Sequence, residues 1–363
     1  MAKSYLEIVE TARSKMKGVP KPSPVVPASP FIGKPASRWM EEAAQSPVPK
    51  MLFDQFWFEG ELCVLYASTN TGKSILAFQI GVYIASGMPN TYWAMSAGKQ
   101  TVLYFDFELS PRQFTKRYSE VENDRYVHLY KFPEFLRRYE LGEVDLPEEV
   151  SLVDYYIEGI RKEVQQTGAK VVIIDNITWL NHRLEKASDA GGFMQKLNKL
   201  KREEELSILL IAHTPKRDAT QPITINDLAG SAQLMNFMDS AFAIGCSTQD
   251  PQLRYIKQIK VRECEKVYGE DNVIVCMLEK VGNFLQFTFQ SYGSERDHLR
   301  TYKESDKAQR DADILEQYEA LKSYRKVGEQ LGVSHQTVKR VVDRAKTESE
   351  TSGQTDDDED PPW

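Results

Sequence analysis

Ala67-Ser-Thr-Asn-Thr-Gly72-Lys73-Ser74 sits between an apolar strand-like run, Leu62 to Tyr66, and a helical run, Ile75 to Ala85. This strand, loop and helix order is what a phosphate-binding P-loop requires, because consecutive backbone N–H groups and the positive end of the helix then face the phosphates. Ser68, Thr69, Asn70, Thr71 and Gly72 would form the cradle, Lys73 would reach the β and γ oxygens, and the Ser74 hydroxyl would ligate Mg²⁺. Ala67 stands where the pattern usually has its first glycine, so the loop is expected to turn with a methyl group present. Kinases, GTPases and chance loops share so short a pattern; the flanking elements strengthen it here.

Nucleotide hydrolysis needs more than a cradle. It needs a carboxylate for the metal, a base to orient water and positive charge on the transition state. Val171-Val-Ile-Ile174-Asp175 reads as a buried strand ending in a carboxylate at the sheet edge where ligands bind, which makes Asp175 the second candidate Mg²⁺ residue beside Ser74. The base candidate is Glu108 in Thr101-Val-Leu-Tyr-Phe-Asp-Phe-Glu108-Leu-Ser, with Asp106 as a competitor. Glu108 is favoured because Leu-Ser-Pro after it opens a new helix and leaves the Glu at the strand end.

The chain has 363 residues, 41% of them hydrophobic, and a formal charge of −7. No apolar run approaches the ~18 residues needed to span a bilayer, and the N-terminus lacks the apolar stretch of a signal peptide, so a cytoplasmic protein without membrane contact is expected. Cys63, Cys246, Cys264 and Cys276 show no metal-ligand spacing and read as reduced core residues. The charge is uneven. Asp356 to Asp360 is wholly acidic, whereas Lys322 to Lys346 is rich in Lys and Arg, so net charge hides a basic module beside an acidic tail.

Residues 1–50 read as an arm with two short helical candidates around a Pro-rich connector, either a frayed terminus or a segment that buries its apolar stripe on another surface such as a neighbouring subunit. Apolar runs then recur at Leu62 to Tyr66, Thr101 to Phe107, Val171 to Ile174, Ser207 to Ala212, Ser240 to Gly245, Tyr255 to Val261, Val273 to Glu279 and Phe284 to Gln290. The first four, linked by helical segments, predict a parallel sheet covered on both faces; the last runs, joined by short turns, predict antiparallel hairpins at one edge. The fold class is therefore α/β, a mixed and mostly parallel sheet over residues 51–292. Residues 293–307 read as a polar linker, 308–346 as a small all-α domain, and 347–363 as a disordered acidic tail.

Taken in order, Ala67 to Ser74, Phe105-Asp-Phe-Glu108, Val171 to Asp175, Leu209-Leu-Ile-Ala-His213-Thr-Pro-Lys216, Asp227 to Asp239 and Lys260-Val-Arg262 resemble the RecA-type ATPase core over residues 51–292, especially the DnaB-like replicative helicases and the compact plasmid RepA-like helicases. The resemblance implies an ATP- and Mg²⁺-dependent ring, a homo-oligomer of six subunits, acting on DNA during replication of a plasmid, phage or mobile element. It implies that His213 senses the γ-phosphate and that Arg262, assisted by Lys260, acts as an arginine finger in the neighbouring subunit's site. Lys216, Arg217, Gly230 and Ser231 fall where a channel-facing loop would meet the backbone of single-stranded DNA.

Tyr324 to Val341 matches a helix-turn-helix register. Val327, Leu331, Val333, Val338 and Val341 would pack its helices, Gly328 would allow their close approach and Gly332 would take the turn. Ser334 would cap a recognition helix presenting His335, Gln336, Thr337, Lys339 and Arg340 to duplex DNA; a small protein-docking module is the other reading. The terminus Asp-Asp-Asp-Glu-Asp-Pro-Pro-Trp363 looks like the tails of bacterial single-stranded-DNA-binding proteins. That resemblance implies a replication partner with a pocket for Trp363, or competition with DNA for a basic channel; a merely solubilising tail is the alternative.

Overall fold

The computed structural model describes residues 31–88, 92–142, 151–176, 187–215, 217–228, 231–300 and 304–352, with backbone alone over 187–190, 231–233, 304–308 and 346–352. The first half of the N-terminal arm, Lys216, Gly230 and the acidic tail with Trp363 lie outside the described residues. The chain divides into two compact units, residues 1–48 and 49–363. In the first, helix α1 (Ala36–Ala43) follows Pro35, and Glu42 pairs with both Lys34 and Arg38.

In the second unit, β1 (Met51–Phe53) pairs with β2 (Trp57–Phe58) in a small antiparallel sheet. The eight apolar runs form the main sheet together with a ninth strand. In chain order they are β3 (Leu62–Ala67), β4 (Val102–Asp106), β7 (Leu136–Glu140), β8 (Val171–Asp175), β9 (Ser207–His213), β10 (Ser240–Cys246), β11 (Leu253–Lys260), β12 (Val273–Val281) and β13 (Phe284–Gly293). Strands β5 (Glu120–Glu122) and β6 (Arg125–Val127) form a separate hairpin.

The order across the main sheet is β13-β12-β11-β10-β3-β9-β8-β4-β7. From β10 to β7 every pair is parallel, and from β10 to β13 every pair is antiparallel. This is the mixed α/β sheet the sequence predicts. Its parallel part extends further than the first four runs, to β10 on one side and to the unexpected β7 on the other.

Both faces are covered. Helix α2 (Lys73–Ser86) is apolar almost all round and correspondingly buried, packing on one face with Leu65, Tyr104, Ile173 and Ile211. On the other face α4 (Leu152–Thr167) inserts Val153, Ile157, Ile160 and Val164, a helical stripe, beside Phe193, Met194, Leu197 and Leu200 of α5 (Ala187–Glu203). Register then fixes the site: Ala67 lies opposite His213, and Asp106 opposite Asp175, at the C-terminal edge of the parallel strands.

Two expectations are corrected. Cys63 and Cys276 are buried, but Cys246, at the end of β10, is exposed and Cys264 is half-buried; all four are free. Residues 294–299 are not a loose linker, because Glu295 and His298 are buried. Glu295 pairs with buried Lys257 at 2.5 Å and accepts the Ile223 N–H at 2.7 Å. An uncompensated lysine inside β11 would be costly, and the carboxylate after β13 neutralises it.

The C-terminal part is three helices: α7 (Glu304–Leu321), α8 (Tyr324–Leu331) and α9 (His335–Ser352). Ile314, Val327, Val338, Val341 and Val342 form their core, with Leu331 and Val333 partly buried against it. Gly332 turns the chain at φ +68, and a Cβ on Gly328 would sit 2.7 Å from the Val333 carbonyl oxygen. Among the described residues no helix is long and apolar enough to cross a membrane.

Candidate active site

Ala67 causes no strain. It keeps its strand pairing with His213, while the left-handed positions fall on Asn70 (φ 61) and Gly72 (φ 106). At Gly72 a Cβ would also approach the Phe287 ring to 2.9 Å, so conformation and space both require glycine. The loop's carbonyls are held from inside: Lys73 Nζ donates to Ala67 O at 3.0 Å and Ser68 O at 2.8 Å, and Thr71 Oγ1 donates to Ser68 O at 2.7 Å. No side chain caps α2, which leaves its first N–H groups for an anionic ligand. Burial pushes the Lys73 ammonium down to about 8, against the opposing pull of Asp175 and Glu108, and an anionic ligand beside it would draw it back up.

Asp175 Oδ2 accepts a hydrogen bond from the Tyr104 hydroxyl at 2.7 Å. Its Oδ1 is buried with no hydrogen-bond partner among the described residues. Burial raises the carboxyl to about 6, with the Tyr104 and Ser74 hydroxyls easing its ionisation. An orphaned carboxylate oxygen beside a serine hydroxyl is the oxygen donor set of a hard divalent cation, so Ser74 and Asp175 fit Mg²⁺. When bound, the ion would supply charge neutralisation to the phosphates.

Asp106 and Glu108 separate cleanly. Asp106 is buried, pairs with Arg138 at 2.9 Å and accepts the Glu108 and Leu109 N–H groups, so it builds the turn. Glu108 instead meets Asn176 and His213: Asn176 Nδ2 donates to Glu108 Oε1 and lies 2.9 Å from His213 Nε2, which is 3.4 Å from the same Glu oxygen. The contact with His213 holds the Glu108 carboxyl below its usual range, with a further contribution from Asn176. An ionised carboxylate at a cleft mouth can accept a proton from water.

Thr69, Asn70, Gly72, Lys73, Ser74, Glu108 and His213 line one cavity of about 230 Å³. Arg117, at the end of helix α3 (Pro111–Arg117), lines it too, as does Leu278 of β12. Arg117 and Asn176 escaped the sequence reading, although each had a signal: a basic pair closing the helix after Glu108, and an amide directly after Asp175. A larger cavity, lined by Phe107, Tyr139, Tyr156 and Phe193, contains no P-loop residue and is not the nucleotide site.

The AAA domain family, AAA_25, matches residues 30–219, more than half of the chain and all of the P-loop, Glu108, Asp175 and His213. The chain belongs to the AAA domain family. It is therefore a nucleotide-binding P-loop ATPase. Among solved structures, a KaiC-like protein from the hyperthermophilic archaeon Pyrococcus horikoshii OT3 is similar at 15% identity and a TM-score of 0.47, over 67% of this chain and 100% of that one. No curated protein matches the sequence.

The remaining described candidate residues of this AAA-domain ATPase do not line the P-loop cavity. Lys260 Nζ donates to Met235 O at 2.7 Å and Met238 O at 2.8 Å, and Arg262, half-exposed, pairs with Asp239 at 2.9 Å. Arg217 donates to Gln221 O and lies 3.7 Å from Asp227. Ser231 opens helix α6 (Ser231–Phe237). On α9, Gln336, Lys339 and Arg340 are exposed, but Thr337 is not an outward residue: it is buried, with its hydroxyl 2.8 Å from that of Ser334. It stands one helical turn before Val341 on the packed face, which the outward reading overlooked.

Proposed function

We propose that this ATPase is a ring-forming DNA motor of the RepA-like replicative helicase type, acting in plasmid, phage or mobile-element replication. One observation carries the reading: Lys73, Glu108 and His213 share a cavity, while Lys260 and Arg262 sit outside it, with Arg262 half-exposed. Arg117 lines the cavity from within, whereas Arg262, outside it and half-exposed, would act as a finger in a neighbour's site, which supports a ring, here a hexamer. ATP and Mg²⁺ are its cofactors, and single-stranded DNA is its track.

Strand displacement on a forked substrate tests this, with Lys73→Ala and Arg262→Ala as controls. Wild type should unwind and both variants should not; mass photometry with ATP and single-stranded DNA should show six subunits. A second reading is favoured by the folded three-helix module and its exposed Gln336, Lys339 and Arg340: an ATP-controlled DNA-binding regulator or helicase loader. ATP turnover without unwinding, together with tight binding of a specific duplex, would select that reading.

A further inference from the structure

The second residue of strand β11 is an arginine in an unusual setting. Arg254 is 9% exposed and forms no ion pair among the described residues. Its guanidinium is held by backbone oxygens: Nη1 donates to Pro251 O at 2.7 Å and to Leu253 O at 2.9 Å, and Nε donates to Thr71 O at 3.0 Å. Burying a cation against neutral carbonyls is expensive unless every contact is well made. The first two contacts fix the fork on its own strand and turn, which leaves Nε aimed at the P-loop.

Thr71 O belongs to the peptide that carries the Gly72 N–H. A trans peptide is planar and its C=O and N–H point in opposite directions. Arg254 holds the oxygen from the β11 side, where Thr71 is buried, so the Gly72 N–H is turned toward the cavity that Gly72 lines. A positive charge on the carbonyl also polarises the peptide and strengthens its N–H as a donor. The Lys73 and Thr71 side chains restrain the Ala67 and Ser68 carbonyls, so Arg254 supplies the restraint those two do not.

We propose that Arg254 is a positioning residue of the ATPase site, acting through the Thr71 carbonyl to aim and polarise the Gly72 N–H for a nucleotide phosphate. The role depends on nucleotide binding alone and stands apart from any action on DNA.

The test uses the full-length protein with Arg254→Met, Arg254→Gln and Arg254→Lys, a fluorescent methylanthraniloyl-ADP for affinity, and steady-state Mg-ATP turnover. Arg254→Met, with no donor, should weaken ADP by roughly tenfold or more, the scale of one charge-assisted hydrogen bond, and raise KM more than it lowers kcat. Arg254→Lys, which keeps a charged donor, should restore affinity to within about threefold, and Arg254→Gln should fall between. A merely structural role would lower the unfolding temperature and leave the affinity of the folded protein unchanged. Should Arg254→Met not fold, Arg254→Gln takes its place. ADP affinity within about twofold of wild type in the donor-less or neutral variant, or Arg254→Lys binding as weakly as Arg254→Met, would overturn the assignment.

Discussion

Tyr104 donates its hydroxyl hydrogen to Asp175 across 2.7 Å between two neighbouring buried strands. The phenol therefore offsets part of the cost of an enclosed carboxylate whose other oxygen accepts nothing from the described residues. Tyr104→Phe should lower stability by about 1.5–3 kcal/mol, the range for a hydrogen bond to a charged group. Mg-ADP should recover more stability in the variant than in wild type, because the ion supplies the missing compensation. Thermal unfolding with and without Mg-ADP measures both.

Asn176 joins the two groups expected to handle water and γ-phosphate. Asn176→Ala should leave nucleotide affinity near wild type and cut kcat by on the order of 10²-fold, as misplacement of a reacting group does. Glu108→Gln should cut it by about 10²–10⁴-fold. An Asn176→Ala enzyme that loses affinity and keeps its kcat would place the amide in binding instead. Single-turnover ATP hydrolysis beside an ADP titration separates the two.

Glu295 compensates Lys257, and both are buried. Glu295→Ala leaves the buried ammonium with the Ile223 carbonyl and the longer, partly exposed contact to Glu270 at 3.4 Å, and should destabilise the core by up to about 3–5 kcal/mol. Replacing both residues, as Lys257→Met with Glu295→Leu, should recover most of that loss. Chemical denaturation of the three proteins reads the result.

Asp311 links α7 to α9 by accepting from Arg344 at 2.6 Å, and Arg310 shares its other oxygen at 2.8 Å. Burial pushes its carboxyl up, but the two arginines outweigh burial and hold it below its ordinary value of 3.8. A depressed carboxyl contributes stability above the unfolded value and loses it as pH falls through the folded one. Asp311→Asn should therefore destabilise the three-helix module at neutral pH, and its deficit should begin to shrink near pH 3.8 and vanish only once pH falls through the lower folded value. Hydrogen exchange of α7 and α9 at several pH values follows this directly.

The main sheet was legible because buried parallel strands are written as continuous apolar runs. Strand β7, Leu-Arg-Arg-Tyr-Glu, was not, since an edge strand can carry charges that a central one cannot. The choice between Asp106 and Glu108 was argued from the turn that follows them, but its structural reason, Arg138, lies 32 residues further on. Ala67 looked like a departure because a pattern records residue types and not backbone angles. The polar stretch after β13 hid a buried carboxylate, and its clue was distant too: the lysine inside Leu-Arg-Tyr-Ile-Lys-Gln-Ile-Lys of β11. Pairings across the fold, rather than local propensity, decided each of these.

Because Glu295 and His298 are buried against the ATPase core, the chain is anchored almost to Arg300, and the three-helix module begins at Glu304. Residues 301–303 can span no more than about 14 Å between those two points. Any ligand gripped by the module is thus presented to the core at an effective concentration on the order of millimolar, without a contact between the two being required. A weak intrinsic affinity of the core for that ligand would then suffice, and lengthening the connection would dilute it.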